Sequence, residues 1–299
     1  MGVAQRIAFL LFLGFQCMYS QRPPLHLYPE TRLSHQDSIR LVNLKGQYAL
    51  NQADQNELNE LGVLLINAQQ FKQALEVYEV LCERVPNLFE YQFRKGAAAG
   101  YVLGTVPQFR AFPYLSSLKS GFEQAVQLNP KSVAAQRALM SVYVDLPKFF
   151  GGDLKKAEQI CASIEQISSL EGAIAYVWYA SKTNQIELAQ KYMQLAFDAQ
   201  NKEFVINDSR YEFAIISWLY KGDLELAQKY FKAFTQHAQN GDLYPAVFAQ
   251  YRIAEIESLS DQKTKNRLYD KQKIEKQFPE IKSFLLSFDP ISSLINNVP

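Results

Sequence analysis

Apolar residues recur along this chain at spacings of three and four, and the recurrence stops at regular places. Between Gln55 and Asn87, one stripe consists of Leu58, Leu61, Leu65 and Ile66, and a second of Phe71, Leu75, Tyr78 and Leu81. That is the period of amphipathic helices, so the stretch predicts two helices meeting near Ala68 to Gln70. Small residues matter as much as large ones. Gly62 lets the second helix come close, and Ala74 lets the partner backbone press in. Pro86 ends the second helix, having no amide donor and a ring that clashes with the preceding turn.

The same two-helix pattern returns more loosely downstream. In the second pair, Tyr91, Phe93, Gly96 and Ala99 mark the first helix, and Phe122, Ala125 and Leu128 the second, closed by Asn129-Pro130. The two halves lie ten residues further apart than in the first pair. An insertion is therefore expected over 101–119. With Gly104, Pro107 and Pro113 it reads as a long inter-helix loop, in which Val106, Phe109, Phe112 and Tyr114 either pack on one another or form a lip for a partner. The third pair carries Ala135, Leu139, Met140 and Tyr143, then Ala157, Cys161 and Ile164. Between them, 146–153 is an extended turn. Pro147 stops the first helix, Gly151 and Gly152 permit positive φ, and Asp153 can cap the next helix. A glycine pair before a helix can hold an anion, but without a GxxxxGK[ST] run there is no P-loop, and a structural turn is the reading. In the fourth and fifth pairs, Glu187-Leu-Ala-Gln-Lys-Tyr192 recurs as Glu225-Leu-Ala-Gln-Lys-Tyr230. Gly152-Asp-Leu154 and Gly222-Asp-Leu224 precede Ala157 and Ala227 at the same distance. Tyr176, Trp178, Tyr179, Tyr211, Phe213 and Trp218 fall at helical spacing and predict core.

Both ends predict caps. Ser34 and Asp37 have capping-box spacing, ahead of a helix over about 35–51 that would bury Ile39, Val42 and Leu44. After the Asn240-Gly241-Asp242 break, helices are expected over 244–259, 264–276 and 280–288, punctuated by Pro279 and Pro290.

In Leu58, Leu61, Gly62, Leu65, Ala74, Tyr78 and Pro86, the first pair resembles the tetratricopeptide repeat without a gap. The Pro-x-x-x-Gly-Gly-Asp turn after LNPKSVAAQRAL is similar to that of uncharacterised exported bacterial repeat proteins, which brings no activity with it. The resemblance implies an all-α fold, a right-handed α-solenoid of about five helix pairs over 55–240 with helical caps over 21–54 and 241–299. It also implies a concave groove lined by the first helix of each pair, where family members take an extended peptide or a partner's helix. Carried over by register, that groove holds Asn59, Val63, Phe93, Ala97, Arg137, Ser141, Ile174, Trp178, Glu212 and Ile216, with Phe109 and Phe112 on the lip. Of the family's carboxylate clamp only Asn59 and Arg137 have suitable chemistry, so mixed polar and apolar contacts are expected.

Composition narrows the function. The chain has 299 residues, 48% hydrophobic and 20% charged, in the range of ordered globular proteins. Residues 1–20 depart from the rest: Arg6, then an apolar run from Ile7 to Phe15, then Ser20 before a polar change. This reads as a secretory signal peptide and predicts a periplasmic or secreted protein. An uncleaved anchor, and a lipoprotein using Cys17, are the other readings. Loss of the segment takes the formal charge from +1 to zero, and a neutral chain lacks the field that phosphate backbones require, so nucleic acid is not an expected partner. Lys263, Lys265, Arg267, Lys271, Lys273 and Lys276 are interleaved with acids and read as a solvated face. Cys82 and Cys161 read as buried free thiols. His26, His35 and His237 show no metal-ligand spacing, and no nucleophile-elbow motif is present. Asn207-Asp208-Ser209 is a glycosylation sequon. The leading expectation is an exported, non-enzymatic scaffold that binds a protein or peptide, with no cofactor and no metal. A periplasmic small-molecule binding component of an uptake system is the alternative, and a hydrolase using 101–119 and 149–153 the second alternative.

Overall fold

A computed structural model describes residues 33–49, 53–107, 110–238, 242–259, 269–288 and 291. The expected signal peptide, most of the leader, Phe109, the Asn240-Gly241 pair and Lys263, Lys265 and Arg267 lie outside them. The described residues are helical, with no strand among them. The chain divides into two compact units, with Gly152 in one and Asp153 in the other, so the division falls inside the third predicted pair.

The first unit holds α1 (His35–Ala49), α2 (Gln55–Asn67), α3 (Phe71–Arg84), α4 (Phe89–Leu103), α5 (Phe112–Leu128) and α6 (Val133–Asp145), each packed on the next. Asp54 caps α2 in a reciprocal box with Glu57: its side chain accepts from the Glu57 amide at 2.9 Å while the Glu57 carboxylate accepts from the Asp54 amide at 3.1 Å. Leu58, Leu61, Leu65, Ala74, Leu75, Tyr78 and Leu81 are buried as the apolar period requires, although Ile66 is half-buried and Leu64 takes its place inside. A Cβ on Gly62 would stand 2.6 Å from the Tyr78 ring, so the tyrosine packs against a glycine and would have to shift for any larger residue. The cap helix is rotated from its expected face. Leu41 and Leu44 are buried, whereas Ile39 and Val42 are 51% and 68% exposed. Beside them Arg40 donates to both carboxylate oxygens of Glu60, at 2.8 and 2.6 Å, raising its own pKa and lowering that of Glu60.

The expected long loop over 101–119 is mostly helix. α4 runs on to Leu103 and α5 begins at Phe112. Pro113 did not exclude helix, because it lies in the first turn of α5, where no amide partner is needed. The extra residues are shared between two lengthened helices and a longer connection over 104–111, which buries Val106 and Ala111.

One turn device recurs. Gln92 Nε2 donates to the Pro86 carbonyl at 2.9 Å, and Gln136 Nε2 to the Pro130 carbonyl at 2.5 Å. Each glutamine is buried and satisfies the carbonyl of the proline that closed the previous pair.

The second unit holds α7 (Leu154–Ile167), α8 (Ser169–Lys182), α9 (Ile186–Asp198), α10 (Asp208–Ile215), α11 (Leu224–Gln236), α12 (Ala246–Leu259), α13 (Lys271–Gln277) and α14 (Ile281–Phe288). A π-helical turn, Ile216–Tyr220, prolongs α10. Asp153 and Asp223 cap α7 and α11, accepting from the Lys156 and Leu226 amides at 3.1 and 2.9 Å. Every residue from Leu170 to Ala180 is buried, so α8 is a core helix on all sides.

The turns of the first, fourth and fifth pairs share a left-handed residue five positions before the alanine of the pair's second helix. It is Gln69 (φ 60°) before Ala74, Asn184 (φ 56°) before Ala189 and Gly222 (φ 69°) before Ala227. The next residue in each turn donates back over the helix end: Gln70 to Leu65 at 2.8 Å, Gln185 to Ala180 at 2.8 Å and Asp223 to Ser217 at 2.9 Å. In the third pair the positive φ moves one residue earlier, to Gly151 (φ 93°).

Candidate functional site

The first-unit residues of the expected groove lie on α2, α4 and α6. Asn59, Val63, Phe93, Ala97 and Ser141 are half-buried, each offering part of its side chain to solvent. Arg94, which carries no local signal in the sequence, organises this face. Its Nη1 donates to Asn59 Oδ1 at 3.3 Å and to the Tyr78 hydroxyl at 3.2 Å, tying α4 to both helices of the first pair. Burial pushes the Tyr78 phenol up, opposed by the Arg94 charge. Phe93 stacks on Phe89 (5.8 Å between centroids) and tilts against Phe122 (5.6 Å). Ser141 Oγ donates to the Arg137 carbonyl at 3.1 Å. Arg137 is buried, so its guanidinium is not presented as a clamp. Phe112 is exposed, and Phe109 lies outside the described residues.

The second-unit positions are core. Ile174, Trp178, Glu212 and Ile216 are all buried. They cannot offer side chains to a partner as the register implied. For Ile174 and Trp178 the physical reason is α8: an apolar helix wrapped on every side has no groove face, and its all-round hydrophobicity overrides the register taken from α2. Lys182 Nζ lies over the Trp178 ring, 5.3 Å from its centroid. Glu212 accepts from the Tyr244 hydroxyl at 3.0 Å, and both groups are buried.

Polar groups missed from sequence organise the second unit instead. Buried Glu171 accepts from the Val205 and Ile206 amides at 2.6 and 3.2 Å and from Ser209 Oγ at 2.5 Å. It holds the 199–207 connection onto α8. Asp208 Oδ1 accepts from the Leu243 and Tyr244 amides at 2.9 and 3.3 Å. Asn207 Nδ2 donates to Asp242 Oδ2 at 2.8 Å and to the Phe234 carbonyl at 3.3 Å. Burial first, then the charges of Asp242 and Glu212, push the Asp208 carboxyl up to about 7, and the two amides pull the other way. These hydrogen-bond partners lie 27 to 38 residues away in sequence, so no local spacing revealed them. The expected sequon is closed by the same contacts: the Asn207 amide is engaged and Ser209 is buried.

Among the described residues no group of three His, Cys, Asp or Glu is arranged to hold a metal ion. No described helix is long and apolar enough to cross a membrane. Cys82 and Cys161 are both buried, and burial raises the Cys82 thiol to about 11.

No family model matches the chain, and no curated protein matches it. Among solved structures it is similar to a thermophilic TPR protein of Thermus thermophilus. The identity is 15%, the TM-score 0.42, and the match covers 62% of this chain and 92% of that one. It is also similar to a tetratricopeptide repeat protein of Parabacteroides merdae, at 10% identity and TM-score 0.48, covering 86% of this chain and 90% of that one.

Proposed function

We propose that the chain is an exported, non-enzymatic scaffold that holds a segment of a protein partner along the α2, α4 and α6 face of its first unit. One observation carries this reading. Asn59 and Val63, Phe93 and Ala97, and Ser141 fall at equivalent places on successive first helices and stay half-exposed, while the opposite faces of those helices are core. The band mixes amide, hydroxyl, aromatic and aliphatic groups, and Arg94 fixes its Asn59 end. Such a surface suits an extended segment with alternating polar and apolar side chains. Export rests on the pattern of residues 1–20.

The test is selection of peptides from a displayed library on the purified chain, followed by affinity measurement. Ala97→Arg combined with Ser141→Arg should weaken a selected peptide about tenfold or more, the loss of a hot-spot contact, with the circular dichroism spectrum unchanged. Undiminished binding by that double variant removes the proposed face. Amino-terminal sequencing of chain recovered from cell envelope fractions tests export: a start at Gln21 supports cleavage, and a start at Met1 opposes it.

A further inference from the structure

The two stretches in which this chain exceeds the regular repeat meet in the first unit. Phe112, at the start of α5, lies edge-on to Phe150 (centroids 5.9 Å apart, planes at 67°), and Phe150 lies edge-on to Phe149 (5.2 Å, 80°). Phe149 is 85% exposed and Phe112 65% exposed. Large rings held in water gain nothing for the fold.

The turn that displays Phe149 is fixed from within. The Phe150 amide donates to the Pro147 carbonyl at 2.8 Å, Gly151 to Lys148 at 3.1 Å and Gly152 to Pro147 at 3.1 Å. A Cβ on Gly152 would fall 1.7 Å from the Leu146 oxygen, so the backbone is folded tightly on itself. Those three amides are already satisfied and can enter an apolar surrounding at little cost. They also leave no open edge to pair with an extended peptide.

Within the two connecting segments the charged side chains are of one sign. Residues 104–111 and 146–152 include exposed Arg110 and exposed Lys148 and no Asp or Glu. Lys119 Nζ lies against Gly151 and within 3.9 Å of Glu123. Of the acids that bracket the turn, Asp145 is half-buried and Asp153 is occupied as the cap of α7. Projecting rings rimmed by cations match the level of a bilayer where apolar and phosphate groups meet.

We infer that this aromatic knob docks the first unit on an anionic phospholipid surface. Phe149 and Phe112 enter at headgroup depth, and Lys148 and Arg110 meet the phosphates. The inference is independent of the peptide-binding face.

The experiment uses the full chain and vesicles of phosphatidylcholine with an equal part of phosphatidylglycerol, against pure phosphatidylcholine. Phe149→Trp places an indole on the knob, and Ile39→Trp places one on the exposed face of α1 as control. The native indoles are a fixed background, Trp178 being buried and Trp218 half-buried. Emission from Phe149→Trp should shift to the blue on the anionic vesicles and be quenched by brominated lipid, while Ile39→Trp stays water-like. Lys148→Glu with Arg110→Glu should lower partitioning about tenfold, and added salt should do the same. The inference is overturned if vesicle-bound chain keeps a water-like signal at position 149, or if the chain does not bind. It is equally overturned if polyglutamate reproduces the shift without vesicles, or if sedimentation shows a dimer that Phe149→Ser abolishes.

Discussion

Gly121 of α5 rests on the backbone of Gly96 in α4: a Cβ at 121 would stand 2.5 Å from the Gly96 nitrogen and 2.8 Å from its Cα. The two longest consecutive helices of the first unit therefore cross at a glycine pair, with the Phe122 ring closing over Gly96. Helix propensity alone favours alanine at either glycine by about 1 kcal/mol. The contact opposes that gain, because the neighbour is backbone and cannot swing away. Gly121→Ala should destabilise the chain by about 1–3 kcal/mol, the range for overpacking. A urea midpoint at or above that of the wild type would contradict the crossing.

Gly62→Ala should cost somewhat less, since its neighbour is a ring end rather than backbone. Tyr78 is nonetheless fully buried and its hydroxyl is held by Arg94. Coupling separates the causes. In a Tyr78→Leu background the same Gly62→Ala change should become neutral or stabilising, with an interaction energy of about 1 kcal/mol or more in a double-mutant cycle. Additive effects would mean that the ring does not constrain position 62.

The left-handed turn residues make a paired prediction of opposite sign. Gln69→Gly should stabilise by about 0.5–1 kcal/mol, because glycine reaches positive φ without the Cβ penalty. Gly222→Ala should destabilise by about 1 kcal/mol for the same reason. Nothing lies within 4 Å of a Cβ at 222, so crowding would not confuse that result. Thermal unfolding of both variants is the check.

Much of this was legible in the sequence, and where it failed the reasons are physical. Leu58, Gly62, Ala74 and Tyr78 were readable because helix period and small-residue spacing reinforce one another locally. On α1 two apolar faces competed, Ile39 with Val42 and Leu41 with Leu44, and no local rule chooses between them. Pro113 looked like loop because proline breaks helix interiors, whereas it lies in a first turn. Of the candidate site, Asn59, Phe93 and Ser141 lie on partly open helix faces. Ile174, Trp178 and Glu212 do not, because burial of a whole helix is decided by neighbours distant in sequence. Glu171, Asp208 and Arg94 act through such neighbours and carried no local signal.

Asp208 supplies a pH dependence. Its carboxyl is raised from an ordinary value of 3.8 to about 7 in the folded chain, so between those values the folded state holds more of its proton than the unfolded state. Its contribution to stability is therefore fully present below about pH 4 and falls as pH rises toward about 7, then levels off. Asp208→Asn keeps an acceptor for the Leu243 and Tyr244 amides and removes the charge. It should raise stability at pH 8 by about 1.4 kcal/mol or more, the equivalent of one pKa step, and have little effect at pH 4. Equal effects at both values would show that burial does not hold this proton.

Glu171→Ala leaves two backbone amides and a buried hydroxyl without their acceptor. The expected cost is about 1–3 kcal/mol, with faster proteolytic cleavage between residues 199 and 207. Unchanged cleavage there would mean that the connection is held by other contacts.

The most direct test of the central claim is hydrogen exchange on the chain with and without a library-selected peptide. Binding along the first unit predicts slowed exchange around Asn59–Val63, Phe93–Ala97 and Arg137–Ser141 together. Slowing confined to α8 through α12, or no slowing while the peptide is bound, would contradict it.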